Sequence, residues 1–205
     1  MSEETLCCGV RVGLNVPDFE MATYDPAAGD FGTFKLSANK EKGQWTILVF
    51  YPADFTFVCP TELKDFGEKY DVLKGLDCEL VTVSTDTQFV HLAWQRDEPL
   101  LKDIKYPMGS DSSGNVSRLF GVLDESSGLA YRGTFIIDPD GNLAASEVNQ
   151  LPVGRNAEEL VRKVKAFIHV RNNPTQACPA KWDEGSKTLD LNKAKDMVGK
   201  VGNFS

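Results

Sequence analysis

Only two of the 205 residues are histidine, and the five cysteines, at positions 7, 8, 59, 78 and 178, include no C-x-x-C pair. With so few imidazoles and no paired thiols there is no zinc-ligand spacing, and an odd number of cysteines gives no closed framework of structural disulfides. Basic residues are also in deficit: 22 Lys and Arg against 30 Asp and Glu leave a formal charge of -8 and a pI near 4.8. No run of Lys and Arg is present to neutralise a phosphate backbone, which argues against nucleic acid as the main partner. Nor does any apolar run approach membrane-spanning length. The opening MSEETLCCGV carries acidic residues where a secretory signal needs basic ones, so the expected location is the cytoplasm, with no membrane partner. In a reducing compartment disulfides tend to be transient and catalytic, and any pairing of these thiols is expected to belong to a reaction cycle.

What is present is the composition of an ordinary globular chain, 41% hydrophobic and 25% charged, long enough to bury one sizeable core. Residues 1–43 mix Gly, Pro, Asp and Ala with short apolar alternations, which reads as irregular strands and turns at a sheet edge. QWTILVFYP, 44–52, is a continuous apolar run expected to form a strand buried on both faces. TELKDFGEKYDVL then places Leu63, Phe66, Tyr70 and Leu73 at helical spacing, with Gly75 expected to stop the helix. A second strand over 78–86 and a second helix over 87–101, capped by Thr85 or Asp86, complete a strand-helix-strand-helix order that implies parallel pairing. Beyond a short strand in YPMGSD and a brief helix in NVSRLFGV, two strand-like runs flank Asp138-Pro-Asp-Gly141 as a hairpin. Residues 156–173 carry the clearest helical stripe, Leu160, Val161, Val164, Phe167 and Ile168, with Asn156 as a candidate cap. From 173 to 205 the regular pattern fades. The expected organisation is one α/β domain over 1–172 with an arm over 173–205.

FYPADFTFVCP, residues 50–60, stops a strand at Pro52 and puts Cys59 in the first turn of the next helix. The thiolate is the nucleophilic form of cysteine, and a free thiol with a pKa of about 8.5 holds only a few per cent of it at neutral pH, so activation requires positive field. A helix N-terminus supplies part of that field, and an arginine at hydrogen-bonding distance supplies a full charge. Thr56 is placed to turn its hydroxyl toward the sulfur or a bound oxygen, and Pro52, without an N–H, offers an apolar wall. Taken alone, Cys59 reads as a packed core thiol.

Pro52-Ala-Asp-Phe-Thr56-Phe-Val-Cys59-Pro resembles the P-x-x-x-T-x-x-C active-site motif of the peroxiredoxins. GVLDESSGLAYRGTFIID, PVGRNAEELVR and CPAKWDEGSKTL are similar to further segments of the typical two-cysteine members of the alkyl hydroperoxide reductase group, in the same order. The resemblance spans about residues 10–190. It implies a thioredoxin-like fold, a central mixed sheet flanked by helices, and a thiol-dependent peroxidase with no metal, haem or flavin of its own. By the same resemblance Cys59 attacks the peroxide and becomes a sulfenic acid, Thr56 binds peroxide and sulfur, and Arg132 stabilises the developing charge. Glu62 and Arg155 orient that arginine. Cys178 corresponds to the resolving thiol, which attacks the sulfenic acid of a partner chain, and an external dithiol, thioredoxin or a flavoprotein disulfide reductase, re-reduces the disulfide. The group forms homodimers, often five in a ring.

The other thiols are expected to be bystanders: Cys78 packs in a strand, and Cys7 and Cys8 are surface thiols. His91 lies in HLAW, a segment the family shares, with a structural part. Asp54 and Glu62 as the paired carboxylates of a hydrolase find no other support in the chain. Two features of easily over-oxidised family members are missing. Where they carry Gly-Gly-Leu-Gly this chain reads DEPLLKDIKYPMGSD, and its last tyrosine is Tyr131, so there is no C-terminal Tyr-Phe pair. Those departures imply that Cys59 unfolds locally with ease and resists over-oxidation. Two other classes remain as alternatives: a chaperone-like or redox-signalling protein, and a dithiol oxidoreductase, against which the missing C-x-x-C counts.

Overall fold

The computed structural model describes residues 9–200, so the expectation for Cys7 and Cys8 lies outside the described residues. The chain divides into two compact units, the first ending at Ala157 and the second beginning at Glu158.

In the first unit a hairpin of β1 (Glu20–Asp25) and β2 (Asp30–Lys35) precedes a short helix α1 (Leu36–Glu41). Then follow β3 (Trp45–Phe50), α2 (Cys59–Gly75), β4 (Cys78–Ser84) and α3 (Gln88–Asp97). β5 (Met108–Ser110) and α4 (Asn115–Leu119) lead into the small pair β6 (Leu123–Asp124) and β7 (Leu129–Ala130), and β8 (Arg132–Ile137) and β9 (Leu143–Asn149) form the expected hairpin. One seven-stranded sheet runs β2-β1-β5-β4-β3-β8-β9. The β3-β4-β5 centre is parallel, as the strand-helix order requires, and the flanks are antiparallel. The N-terminal strands do sit at a sheet edge.

All six residues of β3 are buried. Strand alternation sends Leu48 and Phe50 into a core with Val81, Val83, Phe120 and Phe135, where the Phe50, Phe120 and Phe135 rings meet at 4.8–5.6 Å. Helix α2 presents Leu63, Phe66 and Leu73, each at most 1% exposed, and each fully buried side chain of this size contributes about 2 kcal/mol. β3 and β8 are thus each paired on both sides within the sheet, which fixes whatever stands at their ends.

Helix α2 does end at Gly75, as expected, and Asp77 takes the left-handed turn that follows, φ 54°. The boundaries of the next helix differ from expectation for local reasons. The helix expected over 87–101 ends at Asp97, because Pro99 pushes Glu98 to extended backbone, φ -89° and ψ 113°, and Pro99–Leu101 form a separate 3-10 turn. Its N-cap is Thr87, with no side-chain bond. Neither Thr85 nor Asp86 caps it: the Asp86 carboxylate accepts instead from the Asp54 amide at 2.9 Å and the Ser84 hydroxyl at 2.8 Å.

The second unit contains nearly all of α5 (Ala157–Asn172), then β10 (Gln176–Ala177), β11 (Leu189–Asp190) and α6 (Ala194–Met197). The region past residue 173, where the sequence pattern fades, is therefore not structureless: β10 and β11 pair antiparallel. Among the described residues no helix is long and apolar enough to cross a membrane.

Candidate active site

Helix α2 begins at Cys59. Pro60 follows at a first-turn position, where a missing N–H removes no intrahelical bond, and Glu62 lies in the same turn, where the helix dipole favours an anion. No side chain caps this end. Cys59 is 1% exposed, and its Sγ accepts from Arg132 Nη1 at 3.5 Å.

Arg132 opens β8, is 4% exposed in its side chain, and reaches Glu62 through the same Nη1 at 2.5 Å. Its Nε donates to the Leu151 carbonyl at 2.6 Å. Arg155 approaches Glu62 from the other side: Nε and its own amide donate to Oε1 at 2.9 and 2.8 Å, and Nη2 to Oε2 at 3.2 Å. Its Nη1 donates to the Gly133 carbonyl at 2.8 Å, and the guanidinium lies over the Phe66 ring at 5.6 Å. Gly133 must be glycine here, because a Cβ would sit 2.8 Å from the Phe135 ring and 2.9 Å from Val122. Both arginines and the glutamate are nearly free of solvent. Two guanidinium charges against one carboxylate leave this hydrogen-bonded cluster with one excess positive charge, held against sulfur.

The loop from β3 to α2 is fixed by groups that no sequence motif connects. Tyr51 donates to Asp54 Oδ1 at 2.7 Å, and His91 Nδ1 lies 2.7 Å from Asp54 Oδ2. His91 Nε2 faces the Gly109 carbonyl at 3.1 Å. A carbonyl only accepts, so Nε2 carries a proton, and a second proton lies between Nδ1 and the carboxyl. Burial raises the Asp54 carboxyl above its ordinary range, with His91 and Tyr51 pulling it back; burial, with Asp54 beside it, pushes the Tyr51 hydroxyl well up. Phe55 is strained, with φ 54°, at a cost of about 1–3 kcal/mol, and its ring packs near Trp94 at 6.2 Å. HLAW draws attention to His91 in the sequence, but nothing in one sequence pairs it with Asp54, 37 positions away. The hydrolase-like pairing of Asp54 with Glu62 does not form: Asp54 is spent on His91 and Tyr51, and Glu62 on the arginines.

The expected residues are therefore distributed unevenly. Cys59, Arg132, Glu62 and Arg155 converge. Pro52 is buried at the exit of β3, and Thr56 is half-buried. The Thr56 hydroxyl donates to the Ala53 carbonyl at 3.0 Å, which leaves its oxygen free to accept. Cys178 lies in the second unit, partly exposed, 3.9 Å from the Ala166 carbonyl, with burial raising its thiol pKa and Arg162 lowering it. Cys78 is fully buried at the start of β4, and burial, with Asp77 beside it, pushes its thiol up to about 12. Among the described residues no group of three or more His, Cys, Asp or Glu is arranged to hold a metal.

A mixed sheet of this order, with a buried cysteine opening the helix after a central strand and an arginine on its sulfur, defines the class: a peroxiredoxin of thioredoxin-like fold. The AhpC/TSA family matches residues 12–146. Alkyl hydroperoxide reductase C of Amphibacillus xylanus is 49% identical over 93% of this chain and 98% of its own, and that of Bacillus subtilis 50% over 89% and 97%. Among solved structures, the reduced 2-Cys peroxiredoxin of Plasmodium vivax has a TM-score of 0.85 at 29% identity, covering 92% of this chain and 98% of that one. The Enterococcus faecalis AhpC structure has 0.77 at 44%, covering 82% and 98%. The chain belongs to the AhpC/TSA family.

Proposed function

We propose that the protein is a thiol-dependent peroxidase that reduces hydrogen peroxide and small organic hydroperoxides. The observation that carries this reading is the Cys59 sulfur held 3.5 Å from Arg132 in a buried cluster with one positive charge unneutralised. A negative charge on Sγ is the complement that the cluster lacks, and a preorganised cation needs no reorganisation when charge develops. The Cys59 thiolate attacks the outer peroxide oxygen. An S–O bond forms, the O–O bond breaks, two electrons pass from sulfur to oxygen, and the departing alkoxide or hydroxide takes up a proton beside Arg132. Thr56 already donates its proton to Ala53, so its oxygen is left to accept from the peroxide O–H. Pro52 walls the loop without offering an N–H. Glu62 and Arg155 hold Arg132 in place.

Cys178 resolves the sulfenic acid of a partner chain in a homodimer, itself one of a ring of five, giving a Cys59–Cys178 disulfide and water. A dithiol donor, thioredoxin or a flavoprotein disulfide reductase, returns both thiols in the cytoplasm. The chemistry needs no metal or cofactor of this chain's own.

Peroxide turnover with each donor tests this directly. Cys59→Ser is expected to lose peroxide reduction by more than about 1,000-fold, as when a nucleophile is removed. Cys178→Ser is expected to keep the first oxidation and lose the disulfide. Oxidation that survives Cys59→Ser contradicts the reading. The absent Gly-Gly-Leu-Gly and Tyr-Phe segments lead us to infer resistance to over-oxidation, because a helix end that unravels readily lets Cys178 intercept the sulfenic acid before it advances. Rapid accumulation of Cys59 sulfinic acid during cycling at high peroxide, read by mass spectrometry, contradicts it.

A further inference from the structure

Within the second unit Cys178 is held against α5, and the same helix carries a cation toward it. The sulfur lies 3.9 Å from the Ala166 carbonyl. Arg162 stands one turn earlier on that face, since residues four apart are neighbours on a helix. Its Nε and Nη2 grip Glu159 at 2.6 and 2.9 Å. Those two nitrogens share one edge of the guanidinium, so the carboxylate occupies the edge away from Nη1. Nη1 turns instead to the arm and donates to the Trp182 carbonyl at 2.7 Å.

That bond closes the turn that follows Cys178. The Trp182 amide donates to Pro179 at 3.1 Å, Lys181 takes a left-handed φ of 60°, and the Trp182 ring is 3% exposed, 5.0 Å from the His169 ring. Near the turn, Lys165 holds Glu184 at 2.7 Å, and His169 Nε2 lies 2.8 Å from the Gln176 side-chain oxygen. The Glu159 hydrogen bond chiefly, and Asp183 to a lesser extent, raise the Arg162 pKa, and Arg162 is the charge that lowers that of Cys178 against its burial.

We propose that Arg162 is a positioning residue for Cys178, pinning the Cys178–Trp182 turn to α5 through the Trp182 carbonyl and so keeping a guanidinium charge on the helix face that carries the sulfur, which must act as a thiolate. This rests on the reading of Cys178 as the resolving thiol. In that step the Cys178 thiolate attacks the Cys59 sulfenic sulfur, an S–S bond forms, the S–O bond breaks, and the released hydroxide takes a proton to become water. A cation beside the attacking sulfur raises the fraction present as thiolate.

The test uses the full reduced chain as wild type, Arg162→Lys and Arg162→Met. Alkylation of Cys178 by iodoacetamide, followed by peptide mass spectrometry from neutral to alkaline pH, reports its thiolate. Arg162→Met is expected to slow alkylation at neutral pH about five-fold, the scale of a partly exposed charge contact, and to move the pH profile upward. Arg162→Lys is expected to restore the wild-type profile, which an anchor that worked by shape alone would not do. After one equivalent of hydrogen peroxide, Arg162→Met is expected to form the Cys59 sulfenic acid at the wild-type rate and the disulfide about five-fold more slowly. An unchanged or downward-shifted profile in Arg162→Met, or faster alkylation, overturns the proposal. If that variant does not fold, wild-type alkylation at low and high salt decides: screening is expected to slow it, and salt independence overturns the proposal. Failure of the underlying reading shows elsewhere, as a dimer disulfide that still forms in Cys178→Ser, whatever the alkylation profile.

Discussion

The two cysteines assigned to one reaction sit in opposite kinds of surroundings. Cys59 is 1% exposed at the head of a 17-residue helix, beside a buried ion cluster in which that helix supplies Glu62 and β8 supplies Arg132. Cys178 is partly exposed, follows a two-residue strand, and lies against the Ala166 carbonyl of α5, one turn from an arginine that itself touches solvent. The difference follows the demands of each step. Attack on a small peroxide needs a prepared electrostatic environment, which a rigid sheet supplies and a short arm cannot. The proposed attack on a sulfur of another chain needs reach, and a partly exposed thiol beside a two-residue strand is placed to supply it.

The largest effect on this contrast is expected from Glu62→Gln. It leaves two buried guanidiniums without their anion, which costs about 3–5 kcal/mol; chemical denaturation reads the loss, whereas Glu159→Gln in the second unit should cost under about 1 kcal/mol because its pair is exposed. Arg132→Met is expected to slow Cys59 oxidation about 100- to 1,000-fold, the usual consequence of removing one charge-stabilising donor, with little change in Cys178 alkylation. Stopped-flow peroxide kinetics beside that alkylation measures both halves.

Asp54→Asn is expected to cost about 1–3 kcal/mol by unbalancing Tyr51 and His91. Its pH signature has a definite sign. The folded Asp54 carboxyl holds its proton more tightly than an unfolded one, so the stability this group contributes is complete below the ordinary aspartate range and is lost as pH rises through the raised folded value. The Asn variant cannot ionise and should lack that decline in denaturation curves taken across the acid range. The smallest effect concerns Cys78. With its thiol pushed up to about 12, it should stay unalkylated in native protein at neutral pH while Cys178 reacts, and native Cys78 labelling at a comparable rate would erase the distinction.

Much of the fold is legible in the sequence where a residue's neighbours along the chain decide its structure. The continuous apolar run of β3, the helical spacing of Leu63, Phe66, Tyr70 and Leu73, and the Asp138-Pro-Asp-Gly141 turn act over a few residues, and they appear where expected. The convergence of Arg132 and Arg155 on Glu62 follows a motif order, not a periodicity, and is reached only through resemblance. The Tyr51-Asp54-His91 network is not legible at all. Its members are individually ordinary, and they meet because the sheet brings the ends of β3 and β5 beside α3. A boundary moves where one residue overrides a pattern, as Pro99 does to the second helix. The Thr56 hydroxyl depends on a local bond to Ala53 that no motif encodes.

The most direct test of the division between a fixed attacking sulfur and a reaching one is peptide mapping of the reduced protein quenched at successive times after one equivalent of hydrogen peroxide. A sulfenic acid on Cys59 is expected first, then a disulfide joining Cys59 to Cys178, with Cys78 unmodified throughout. A first oxidation at Cys178, or a disulfide that includes Cys78, contradicts that division.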